Sequence, residues 1–243
     1  MRVTGLLVLL CLNGAEVLSA ADMTKVDTLA VIPFETIGDF QNPELFSHGL
    51  PDGIACDLAL APNLVVIERM KLSQILSELQ LSQTGLVREE DMGRVGQLLG
   101  ARILIVGTVQ TAESFLRIHS RGVDTRTGIV LFSVKHDGRF EQTRHVFDFQ
   151  DAVSRKILSA MGVSIISEGG EKLQGPPSGS FEAYLKYVNG IRAMDKGDIP
   201  DGMEALQKAA DLDPRFQRAI NIRQRADQMF RELDTEVEKM KKK

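Results

Sequence analysis

Thr28-Leu-Ala-Val-Ile-Pro-Phe34 is a continuous apolar run rich in β-branched residues. A stretch this short and this apolar reads as a central strand buried on both faces rather than as a helix. Pro33 has no backbone donor to give a ladder, so pairing should stop there. Downstream, Leu50, Ile54 and Leu58 recur every four residues and predict a helix from about Glu44 to Leu60, started or kinked at Pro51. Asn63-Leu-Val-Val-Ile-Glu68 predicts a second strand, and Leu72, Ile75, Leu76 and Leu79 a helix from about Lys71. After a loop at Gln83 to Arg88, Met92, Val95, Leu98 and Leu99 predict a third helix with Gly100 as its stop.

The alternation then changes. Arg102 to Gln110, Phe115 to Val123 and Ile129 to Val134 read as three successive strands, the last two joined by the turn Asp124-Thr-Arg-Thr-Gly128. A helix from about Phe147 to Met161 should lay Val153, Ile157 and Leu158 on the sheet. The fold class is therefore α/β, a mixed five-stranded sheet with flanking helices, followed by a small all-α module at the C-terminus. Ser167 to Ser180, rich in Gly and Pro and without apolar periodicity, reads as a linker between the two. The domain reading is a signal peptide over residues 1–21, the α/β domain over 22–166, the linker over 167–180 and the helical module over 181–243.

The leader reading rests on Arg2, the apolar run Gly5-Leu-Leu-Val-Leu-Leu-Cys-Leu12 and small residues at Ser19 and Ala21. The run is too short to cross a bilayer core of about 30 Å as a helix, and it has the length of a secretory signal core. Export to the periplasm follows, with outer-membrane attachment through a lipidated Cys11 as the alternative. Cleavage before Asp22 leaves Cys56 as the one thiol, so the exported chain would stand on packing without an internal disulfide. Cys56 lies in an apolar stretch at helical spacing and reads as buried and inert. A formal net charge of −4 predicts no sequence-independent affinity for nucleic acid, and no later stretch has the length of a transmembrane span.

Leu29-Ala-Val-Ile-Pro-Phe34, Val65-Val-Ile-Glu-Arg69, Gly93 to Ala101 leading into Ile103 to Val109, and Val123-Asp-Thr-Arg-Thr-Gly-Ile-Val130 occur in an order that resembles the periplasmic α/β domain of the CsgG-like and TolB amino-terminal-like families. The resemblance implies an envelope protein without enzymatic activity in this domain. It departs from the curli channel, because Thr111-Ala-Glu-Ser114 is too short to hold a membrane-crossing hairpin. From Ala183 to about Phe216, Gly190, Gly197, Gly202, Leu206, Ala209 and Pro214 resemble one tetratricopeptide-repeat (TPR) helix pair, with Lys186 and Ala193 departing from the pattern. That resemblance implies a protein-binding module whose first helix faces a partner. Tyr184, Tyr187 and Ile191 on that helix are then the candidate protein-binding residues, the alternative being that the tyrosine pair packs on the linker or the terminal helix.

No other constellation carries chemistry. Gly93, Gly96 and Gly100 lie within a helix, where a phosphate loop cannot form. His48, His119, His136 and His145 are scattered without metal-ligand spacing, and Ser47, His48 and Asp52 have no G-x-S-x-G elbow beside them. The expectation is thus no catalytic, cofactor-binding or metal residues. The expected role is a non-enzymatic, exported, protein-binding or assembly module of the bacterial cell envelope, partnered by another envelope protein or by itself. A lipoprotein accessory of a curli-like secretion or surface-assembly system, without a pore of its own, is the alternative.

Overall fold

The computed structural model describes residues 27–79, 89–141, 145–163 and 177–241. The leader, Cys11, the loop before the third helix and most of the linker lie outside the described residues. The opening run forms β1 (Asp27–Val31), which pairs in parallel with β3 (Leu64–Val66) on one side and β4 (Ile103–Ala112) on the other. Leu29, Val31, Ile103 and Ile105 point into one apolar core, and Ala30, Ile32, Leu104 and Val106 into a second. This two-residue alternation is why the run is apolar throughout.

Pro33 interrupts the ladder as expected but does not end it. Pairing with β4 resumes in a short strand, β2 (Glu35–Ile37), with Glu35 opposite Thr108. One residue is bulged out between the two pieces, and the N–H of Phe34 is spent on the carbonyl of Ser47 at 2.8 Å. Among the described residues the sheet therefore has six strands rather than five. β5 (Phe115–Asp124) and β6 (Val130–Arg139) complete it in antiparallel sense, giving the order β3-β1-β4-β5-β6 with β2 beside β4.

β6 outruns its expected end at Val134 because its polar residues divide between two faces. Asp137 pairs with Arg117 across the strands, at 2.9 and 3.0 Å, while the His136 ring lies 5.1 Å from that of Phe149. The expected helix around Pro51 begins with a π-helical turn, Leu45–Gly49, and continues as α1 (Leu50–Leu58), with Pro51 just past the junction of the two. α2 (Arg69–Glu78) and α3 (Glu89–Leu99) cover the second core, and α3 stops at Gly100, whose φ of +69° a glycine adopts without strain. α4 (Val146–Ala160) packs on α1 and β6 and buries Val153, Ile157 and Leu158.

The C-terminal module is α5 (Phe181–Asp195), α6 (Ile199–Leu212) and α7 (Gln217–Lys241). α5 and α6 lie close because a side chain at Gly190 would meet Leu206 at 2.9 Å and one at Gly202 would meet Met194 at 2.7 Å. α7 starts later than Pro214 suggests, since the Asp213 carboxylate accepts the Arg215 N–H at 3.0 Å and holds a turn there. The module shares one core with the α/β unit: Leu45, Leu50 and Ile54 pack in the same cluster as Tyr187, Ile191, Phe216 and Ile222. Burial of this kind stabilises by roughly 25 cal/mol per Å² of apolar surface, so the helices are fastened to the sheet domain.

Candidate functional site

Ser180 caps α5 by accepting the Ala183 N–H at 3.2 Å. Beyond it, Tyr184, Tyr187, Ile191 and Asp195 follow at three- and four-residue steps and share one helix face. That face turns inward. Tyr184 is 1% exposed and Tyr187 and Ile191 are 0% exposed, so the aromatic surface expected to meet a separate partner is spent within the chain. The reason is the shared core: the α/β unit supplies the apolar partner that a lone helix pair lacks. The Tyr184 ring sits 5.0 Å from Phe147, and the Tyr187 ring 5.0 Å from Phe216.

The two phenols differ in their polar ends. Tyr187 Oη donates to Asp52 Oδ2 at 2.7 Å, whereas Tyr184 Oη is buried without a partner among the described residues. Burial, and then the field of Asp52, raises both phenols above the usual tyrosine range, so Tyr187 stays a proton donor. Asp52 also meets Arg218 of α7 at 3.4 Å, which links α1, α5 and α7 through one carboxylate.

A second carboxylate, Asp195, does the same for α2 and α5. It contacts the Arg69 guanidinium directly and accepts the Ser73 hydroxyl at 2.5 Å. Burial alone would lower the Arg69 pKa, but the fields of Asp195 and Asp52 outweigh it and keep the guanidinium charged. His48 Nε2 lies 3.7 Å from the same carboxylate, a separation that would suit an ion pair. Burial and then Arg69 push the His48 pKa down to about 3, however, so at neutral pH the contact is between a neutral ring and a carboxylate. Ser47 Oγ lies 2.8 Å from His48 Nδ1, but so weak a base cannot take its proton near neutral pH.

Between α1, α2 and α7, Asp52, Arg69, Tyr187 and Arg218 border an open cleft of about 440 Å³ with an apolar floor that includes Val31, Ala55, Val66 and Ile222. Arg69, Arg218 and Arg225 stand around it, and Arg225 contacts Glu68 at its rim. Cys56 is only partly buried, against the expectation that it is buried, and it lines the cleft. Burial and then Asp52 push its pKa up to about 12, which leaves it a poor nucleophile, in keeping with its reading as inert. His119 meets Ser133 at 2.8 Å on the open sheet face, and no three His, Cys, Asp or Glu side chains gather for a metal among the described residues.

The network was partly legible in sequence. Asp195 falls one turn beyond Ile191 on the apolar stripe of α5, and a charge on such a stripe needs a buried partner. Which partner it finds, Arg69 at a distance of 126 residues along the chain, has no local signal.

A family model described as "Curli production assembly/transport component CsgG" matches residues 34–122, the segment from the bulge after β1 to near the end of β5. The α/β unit is CsgG-like over that segment. The chain is 26% identical over 190 residues to a protein of Rhizobium meliloti (strain 1021) provisionally named adenylate cyclase 3, covering 77% of this chain and 30% of that protein. The chain thus spans less than a third of the length of this curated relative. Among solved structures, the LpoB C-terminal domain from Salmonella enterica is 18% identical, with a TM-score of 0.39 over 48% of this chain and 84% of that one. Lipoprotein GNA1162 from Neisseria meningitidis is 18% identical, with a TM-score of 0.37 over 54% and 96%. The PelC dodecamer from Paraburkholderia phytofirmans is 12% identical, with a TM-score of 0.37 over 56% and 86%.

Proposed function

We propose that this chain is a non-enzymatic, exported protein of the bacterial cell envelope that acts as a protein-binding or assembly module in the periplasm. The observation that carries the reading is the CsgG family match over residues 34–122, which covers β2 to β4, most of β5 and the helices α1 to α3 of the α/β unit. The leader-like segment from Arg2 to Ala21 supports the same address. With the Tyr184 face spent internally, partner contact moves to surfaces still open, of which the β6 edge offers a row of backbone donors and acceptors that another strand can pair. The adenylate cyclase name belongs to a much longer protein and lends no activity here.

A second reading, an outer-membrane-associated lipoprotein accessory of a secretion or surface-assembly system, rests on Cys11 within the leader. Fractionation of the native host followed by intact-mass measurement tests both. Recovery from the envelope with a chain starting at Asp22 supports the first reading, and a chain starting at an acylated Cys11 supports the second. Recovery from the cytoplasm with Met1 to Leu12 retained overturns both.

A further inference from the structure

We propose that the cleft between α1, α2 and α7 is a binding site for a small organic acid, one carboxylate-sized anion on a compact apolar body. This goes beyond the assembly reading and stands on its own observations. The volume, about 440 Å³, lies in the range of small-molecule sites, which are mostly apolar with a few convergent polar groups. The floor supplies the apolar part through Val31, Ala55 and Ile222.

The polar part is short of an acceptor. Arg69 lines the cleft with a side chain only 9% exposed and brings its positive charge to the wall, with a terminal nitrogen on Asp195. Arg218 meets Asp52 at 3.4 Å, and a guanidinium has five N–H donors, so most of its fork is left for a ligand. The bordering acids are already engaged, Asp52 by Tyr187 and Arg218, and Glu68 by Arg225. Glu68 also makes no capping bond to α2, so the positive end of that helix faces the same region. A planar carboxylate matches guanidinium forks in two-pronged fashion. An amine would meet three guanidinium groups, and a neutral apolar molecule would leave the Arg218 fork without an acceptor.

The purified full chain is titrated with anilinonaphthalene sulfonate, a fluorescent organic anion, and the bound probe is challenged with octanoate, octanol and octylamine. Saturable fluorescence is expected, with displacement by octanoate and none by octanol or octylamine at about tenfold higher concentration. Ala55→Phe fills the floor and Arg225→Gln removes a rim charge. Each is expected to weaken probe and octanoate binding at least about tenfold with the far-ultraviolet circular dichroism unchanged. Should Ala55→Phe fail to fold, Arg225→Gln, at a side chain that is more than half exposed, decides alone. Equal displacement by octanol and octanoate, unchanged binding in a folded variant, or no saturable signal overturns the proposal.

Discussion

Replacing Tyr187 by Phe removes one oxygen and tests whether the helical module is held by polar as well as apolar contacts. That oxygen donates at 2.7 Å to Asp52, and both groups are buried. A hydrogen bond to a charged acceptor contributes about 1.5–3 kcal/mol, and its loss leaves the carboxylate with Arg218 at the longer distance of 3.4 Å. A destabilisation of about 2 kcal/mol is expected, or about 4–8 °C in Tm for a chain of this size. Tyr184→Phe is the internal control, because its hydroxyl is buried without a partner and the ring contacts to Phe147 and Phe181 survive the change. Deleting an unsatisfied polar atom removes a desolvation cost, so this variant should be neutral or more stable by up to about 1 kcal/mol. Urea unfolding followed by circular dichroism, with a common slope, measures both. A Tyr187→Phe change within about 0.5 kcal/mol of the parent, or a Tyr184→Phe loss larger than that of Tyr187→Phe, would refute the assignment of these two hydroxyls.

Asp57 is held by Gln150 at 2.9 Å and Ser154 at 2.7 Å, yet burial raises its pKa from 3.8 to about 6 despite those bonds. The folded state therefore binds the proton more tightly, and the stabilisation present below pH 3.8 is lost as pH rises through about 6. Relative to Asp57→Asn, the parent should gain roughly 2–3 kcal/mol between pH 7 and pH 4; the opposing loss from His48, lowered from 6.5 to about 3, is common to both proteins and cancels. A flat difference across that range would contradict the burial of Asp57. Gly202→Ala should destabilise by about 1–2 kcal/mol in urea, because the new methyl meets Met194 at 2.7 Å and the rigid Gly190 carbonyl at 3.1 Å, outweighing a gain of up to about 1 kcal/mol in helix propensity. Cutting the chain at a protease site placed between residues 167 and 176 should leave the two fragments together in gel filtration, since the core and both carboxylate networks join them; separate elution would show that the linker, not the interface, holds the module.

The order of strands and helices was written in local pattern. The apolar run at Thr28 to Phe34 can only lie between two covered faces, and Leu50, Ile54 and Leu58 can bury together only on a helix. Gly190 and Gly202 likewise announce two helices in close approach. What periodicity could not reveal is where pairing resumes after Pro33, because Glu35-Thr-Ile37 is too short to carry a pattern and becomes a strand only when β4 stands beside it. The charged end of β6 was hidden for a related reason, its alternation being of polar side chains against Phe149 and Arg117 rather than of apolar against polar.

The same division governs the candidate site. Sequence determined that α5 carries a stripe of Tyr184, Tyr187 and Ile191 ending in Asp195, since spacing along a helix is local geometry. Tertiary structure alone decided that the stripe faces Asp52, Phe147 and Arg69 instead of solvent or another chain. A helix pair too small to bury its own apolar face must find that cover somewhere, and whether it finds it in the same chain depends on contacts between residues far apart in sequence, such as Tyr187 with Asp52 and Asp195 with Arg69, for which the sequence has no local signature.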